Sequence, residues 1–146
     1  MSAHAELLRN LGDEPDLEVG ITTGTEHWRT GQIELRVRGD GEVAIRQRRA
    51  GEEHEYGGRL DPDRVRRLGE DLAGDRIDEL RDPGGDRKPD DHPVRIRIAR
   101  DGETLHEGAI RESERWKDDR LDRLVRTYDA IVGEFTDGAL PYGKRA

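Results

Sequence analysis

Gln32-Ile33-Glu34-Leu35-Arg36-Val37-Arg38-Gly39-Asp40-Gly41-Glu42-Val43-Ala44-Ile45-Arg46-Gln47-Arg48-Arg49 is the stretch whose reading decides the fold. Ile33, Leu35 and Val37 alternate with Glu34, Arg36 and Arg38, the period-2 pattern of a half-buried strand. After Gly39-Asp40-Gly41 the pattern resumes, with Val43 and Ile45 on one face and Ala44, Arg46 and Arg48 on the other. A three-residue loop with Gly41 in the left-handed region sets Val37 opposite Val43 and Leu35 opposite Ile45. That register gathers the apolar residues on one side, and a one-residue slip would expose them all. The other side then carries Arg36, Arg38, Arg46 and Arg48.

Outward from the hairpin, the totals bound the answer. A chain of 146 residues fits one domain burying about 70% of the surface its unfolded form exposes. With 41% charged and 31% hydrophobic residues and a mean hydropathy of −1.04, its core is thin. Such a composition also suits disorder, but the apolar residues are periodic wherever they occur, so a fold of two layers is expected. The net charge of −8 argues against a general nucleic-acid binder. Arginine supplies all but three of the 26 basic residues, the bias of a GC-rich, bacterial genome. Cysteine is absent, which excludes disulfides, thiol catalysis and Cys-ligated zinc. The sequence shows neither a signal-peptide pattern nor a run of about 20 apolar residues, so a cytoplasmic location without membrane contact is expected.

Taken in order, residues 3 to 11 predict a short helix capped by Ser2 and stopped by Gly12. Leu17, Val19 and Ile21 predict the strand that completes a meander with the hairpin. A fourth strand is expected over 54 to 59 with Tyr56 inward, after a loop at 50 to 53. Asp61 suits a helix N-cap and Pro62 its first turn; Leu60 and Val65 fit a hydrophobic staple, and Gly74 a terminator. Residues 82 to 93 read as a long loop without an apolar anchor. Val94, Ile96 and Ile98 alternate with Arg95, Arg97 and Ala99 in a further strand. Asp101-Gly102 then turns the chain, pairing Ile98 with Leu105 or with Thr104 according to loop length. A final helix runs through Leu121, Leu124, Val125, Tyr128, Ile131, Val132 and Phe135, after a break between Trp116 and Leu121, and Asp137-Gly138 ends it.

The order implies an α+β two-layer sandwich: an antiparallel sheet of five to six strands, two main helices on one face, and a short N-terminal helix. Residues 1–14 are read as N-terminal helix and linker, 15–138 as the domain and 139–146 as a tail. Gly39-Asp40-Gly41-Glu42-Val43, Tyr56-Gly57-Gly58-Arg59-Leu60-Asp61-Pro62-Asp63-Arg64-Val65, Asp90-Asp91-His92-Pro93-Val94-Arg95-Ile96-Arg97-Ile98 and the last helix with Leu121, Leu124 and Val125 carry a likeness. On these motifs the chain resembles small bacterial domains of unknown function that often occur in lipoproteins. It departs from them in lacking a lipobox and a cysteine in the first turn. The resemblance implies an architecture and no activity.

Several side chains are candidates for a site. Asp90, Asp91 and His92 offer two carboxylates and an imidazole to a metal, but no further ligand has a spacing that closes the site. His54 between Glu53 and Glu55 lacks a second histidine at metal-binding spacing, and edge-strand placement explains it as well. His106 falls near Arg97 in one register, as a surface pair. The glycine pairs at 39–41 and 84–85 match no phosphate-loop pattern, and neither Ser2 nor Ser113 sits in a nucleophile elbow. No catalytic residue, metal site or cofactor is therefore expected.

Two features remain as partner-binding candidates. His27-Trp28 suits either an exposed recognition element or a lid over the sheet. Arg36, Arg38, Arg46, Arg48, Arg95 and Arg97 all lie opposite apolar positions, so they share the open side of one sheet. Such a face suits an acidic protein surface or a phosphate-bearing ligand, unless Glu34, Glu42 and nearby acids neutralise it across strands. The leading expectation is a non-catalytic module that binds another protein, as accessory or immunity-type proteins do. A nucleic-acid or nucleotide-binding module using the arginine face stands second, and a hydrolytic enzyme whose site forms only in the fold third. The oligomeric state stays open.

Overall fold

The alternation written into residues 17 to 49 becomes the middle of a six-stranded antiparallel sheet. The computed structural model describes residues 4–24, 31–49, 51–84 and 92–136. Its strands are β1 (Leu17–Thr23), β2 (Gln32–Arg38), β3 (Glu42–Arg49), β4 (Glu52–Arg59), β5 (Pro93–Arg100) and β6 (Glu103–Arg111). They lie in the order β4-β3-β2-β1-β5-β6. Helices α1 (Ala5–Arg9), α2 (Pro62–Gly74) and α3 (Asp119–Phe135) join them, making the α+β two-layer sandwich.

The first hairpin has the register that its alternation dictates, Val37 opposite Val43 and Leu35 opposite Ile45. Gly41 turns it at φ 97°, a region costly for any residue with a Cβ. Every second residue of β1 and β2 is buried, from Leu17 through Ile21 and from Ile33 through Val37. The helices supply Leu8, Val65, Leu68, Leu72, Leu121, Leu124, Val125, Tyr128 and Val132 to the same core. Tyr128 ties α3 to the sheet with its hydroxyl, which donates to the carbonyl of Ile33 at 3.0 Å and meets Thr23 Oγ1 at 2.8 Å.

The helix start at Asp61 is as predicted: its carboxylate accepts the Arg64 amide at 2.9 Å, with Pro62 in the first turn. The stop is shared between two residues. α2 ends at Gly74, but the left-handed reversal falls to Arg76 at φ 48°, with a 3₁₀ turn at Ile77–Glu79 behind it. The first helix is shorter than expected, running only from Ala5 to Arg9, and Gly12 sits within a further 3₁₀ turn, Leu11–Asp13. Ser2, read as its cap, lies outside the described residues. Strand β4 begins at Glu52, because Arg49 pairs with Glu52 and leaves only two residues for the connection. A 3₁₀ turn at Glu112–Trp116 precedes the break before α3.

The second hairpin corrects both expected registers. Arg100 pairs with Glu103 and Ala99 with Thr104, as a two-residue loop requires. A bulge then absorbs Leu105, so Ile98 faces His106 and Arg97 faces Glu107. The supposed anchorless loop is also held at both ends. Asp82 accepts the Arg111 backbone amide at 3.1 Å and its guanidinium at 3.0 Å, and His92 is only 4% exposed. These anchors are polar, an exposed Asp82 tied to a buried Arg111 and a buried His92, so apolar periodicity does not reveal them.

Candidate functional site on the open sheet face

Pleating sends the residues between the core positions to the opposite side, and no described helix covers them. The register places Arg36 beside Gly20, Gly20 beside Arg97, and Arg97 beside Glu107. One step along, Glu55, Arg46, Glu34, Thr22 and Arg95 form a second row. Arg36, Arg38, Arg46, Arg48, Arg95 and Arg97 thus share one face, as their alternation predicted.

Four of the six are met by acids. Arg36 Nε lies 3.5 Å from Glu34 and 3.7 Å from Glu18. Arg38 reaches Asp16 at 3.7 Å, and Arg48 reaches Glu53 at 3.6 Å. Arg46 approaches Glu53 at 3.2 Å and Glu55 at 3.6 Å. These are contacts of proximity; Glu18 Oε1, Arg38 Nε and Arg46 Nε make no hydrogen bond. The neutralisation comes from Glu34 as expected, but from Asp16, Glu18, Glu53 and Glu55 instead of Glu42.

The β5 side is different. Arg97 donates through Nε to Thr104 Oγ1 at 2.8 Å and through Nη2 to the Gly102 carbonyl at 3.4 Å, both uncharged acceptors. Arg95 is exposed, and no described carboxylate lies within 4.0 Å of it. Between these arginines and Arg36 runs a groove of about 200 Å³. Gly20 and Thr22 form its floor, since β1 carries its smallest side chains there, and Gln32 and Glu34 stand on the β2 side. Two hollows of about 60 Å³ on the same face separate the remaining charged rows. A drug-sized ligand needs roughly 300–1,000 Å³, so the groove is scaled to one or two side chains.

No family model matches the chain, and no curated protein matches it either. The functional reading therefore rests on the geometry.

The other sequence candidates scatter. Trp28, His27, Asp90 and Asp91 lie outside the described residues. His92 is buried beside the start of β5, and its carbonyl accepts the Glu112 amide at 2.9 Å. His54 is on exposed β4 with Glu52 at 3.7 Å. Among the described residues no group of three or more histidines and acids is disposed to hold a metal ion. His106 does not join the arginine face, because the bulge at Leu105 turns it to the helix side, where its ring lies 5.5 Å from that of His4.

Two features escaped the sequence reading. The groove floor was legible in principle, because Gly20 and Thr22 are the small residues between the arginine rows of β2 and β5. Trp116, 73% exposed, carries the Arg115 guanidinium 4.8 Å from its ring centre. Arg115 is in turn fixed by Glu112 at 3.1 Å, an i,i+3 pair, and by Asp122 at 2.8 Å, a contact no spacing rule anticipates. No helix among the described residues is long and apolar enough to cross a membrane.

Proposed function

We propose that this chain is a non-catalytic binding module of a bacterial cytoplasm whose open sheet face receives an acidic segment of another protein. Arg95 carries the reading. It stands at the rim of a groove of side-chain size, lacks a described acidic partner, and belongs to a face whose other arginines are mostly neutralised. A carboxylate entering the groove meets Arg95 first, with the Thr22 hydroxyl and Gln32 amide within the same lining. The flanking ladder of paired charges suits a partner of mixed charge, since each row must be matched in sign to approach.

The nucleic-acid reading has less support. Glu18, Glu34, Glu53, Glu55 and Glu107 interleave with the arginines and would repel a phosphate backbone. Affinity capture from a native lysate, with wild type beside Arg95→Glu and Arg48→Glu, tests the choice. Arg95→Glu should abolish capture of a salt-sensitive protein partner, while Arg48→Glu, within the neutralised rows, should weaken it only slightly. Equal capture by all three proteins would refute the reading. Nucleic-acid binding that falls steeply with salt would put the second in its place.

A further inference from the structure

The N-terminal segment is held to the body of the protein by a small cluster of titratable groups. The His4 amide donates to Asp78 Oδ2 at 3.0 Å, and Asp78 is only 3% exposed. The His4 ring lies 5.5 Å from that of His106 on β6, tilted by 46°. Arg81 closes the group, its guanidinium donating to the carbonyls of Asp78 and Leu80 at 2.7 and 2.9 Å. Three elements meet here: the start of α1, the turn at Ile77–Glu79, and β6. The β5 residue opposite His106 is Ile98, which is apolar.

Beyond the cluster, α1 is seated by close packing alone. Leu8 and Leu11 are fully buried, and Gly69 of α2 lets the backbone approach so closely that a Cβ there would overlap the Leu8 carbonyl and crowd Leu11. Five helical residues cannot hold themselves together in water, so this seat and the cluster decide whether α1 stays.

We infer that His4, His106 and Asp78 form a pH-sensitive clasp that releases α1 and the turn Leu11–Asp13 on acidification, uncovering the apolar α2 surface around Gly69. A proton on the His106 ring places positive charge beside the His4 ring and Arg81, with the carboxylate of Asp78 facing them. Burial, then His4, then Arg81 lower the affinity of His106 for a proton, and Asp78 offsets them only in part. When α1 leaves, His106 loses its neighbour and much of its burial and moves toward its ordinary value of 6.5. The released form therefore binds the proton more tightly. Closure is complete above that value, weakens as pH falls through it, and levels off below the closed-state value.

Amide exchange of the full chain, corrected for intrinsic rates and compared at pH 7.5 and 5.0, tests the clasp. Protection over residues 7 to 11 should fall at the acid pH, by no more than about tenfold per pH unit for one proton. Protection at Leu35 in the sheet should hold. His106→Gln should remove most of the pH dependence. Should that variant not fold, His4→Gln serves, with the His106 imidazole followed by NMR: its titration should move up toward 6.5 relative to wild type. Unchanged protection in the wild type, simultaneous loss at Leu35, or full pH dependence in His106→Gln would overturn the clasp.

Discussion

The ion pairs of the open face and those of the helix layer use the same residue types and behave differently. On the open face Arg36, Arg38, Arg46 and Arg48 approach acids at 3.2 to 3.7 Å. In the helix layer Arg64 grips Glu134 with two hydrogen bonds of 2.7 Å, and Arg123 grips Asp75 at 2.7 to 3.2 Å. Neighbouring strands project their side chains in parallel, so charges stand side by side; separate helices let an arginine meet a carboxylate end-on and bidentately. Arginine content thus says little about local charge or stability, whereas the direction of approach says much.

The widest break in that comparison is expected at Asp82. Arg111 is the most buried arginine of the described ion pairs, its side chain 8% exposed, and Asp82 meets it at 3.0 Å. Asp82→Asn should cost about 2–3 kcal/mol in denaturant unfolding, because it weakens charge-assisted hydrogen bonds to a buried guanidinium while Asp82 itself is about a third exposed. Tyr128→Phe removes two directed contacts between α3 and the sheet, leaving Thr23 and the Ile33 carbonyl without that partner; about 1–3 kcal/mol should be lost.

Acid should act on the directed pairs next. Hydrogen bonds from the Gly84 amide and Arg111 lower Asp82, those from Arg120 lower Asp118, those from Arg126 and Arg115 lower Asp122, and those from Arg64 lower Glu134. Each carboxylate binds its proton more weakly folded than unfolded. Its contribution is therefore present above its ordinary value, near 4, and is lost as pH falls through the folded one. The melting temperature should drop between pH 5 and 3, modestly because these groups are partly hydrated, and less in Glu134→Gln. The smallest effect belongs to the open face: replacing Arg36, Arg46 and Arg95 together by Gln should leave the melting temperature nearly unchanged, at about 0–1 kcal/mol each. A drop of several degrees would show that the ladder is structural.

Legibility in the sequence followed the same division. The first hairpin, the Asp61 cap and the apolar stripe of α3 were readable, because alternation, a cap residue and a helical period are local signals. The arginine face followed from the alternation, and so did neutralisation by Glu34, but not the identity of the other acids, since Glu53 and Glu55 meet Arg46 only once β4 is paired. His106 was misplaced because a bulge has no periodic signature: Leu105 interrupts a strand whose only fully buried apolar residue is Ile110. Asp82 with Arg111, and His4 with Asp78, lie 29 and 74 residues apart, beyond any motif.

The bulge has one more consequence. Among the described residues the sheet ends in β4 and β6 without a further strand beyond them, two templates for adding chains, and each is guarded differently. On β6 the extra residue interrupts the ladder at its third position, so an incoming strand finds a regular row only from His106 to Arg111. On β4 the pairing is regular over all eight residues, and Glu52, Glu53, Glu55 and Arg59 do the guarding. Resistance to end-to-end polymerisation is therefore geometric at one margin and electrostatic at the other, and only the second can be switched off by salt.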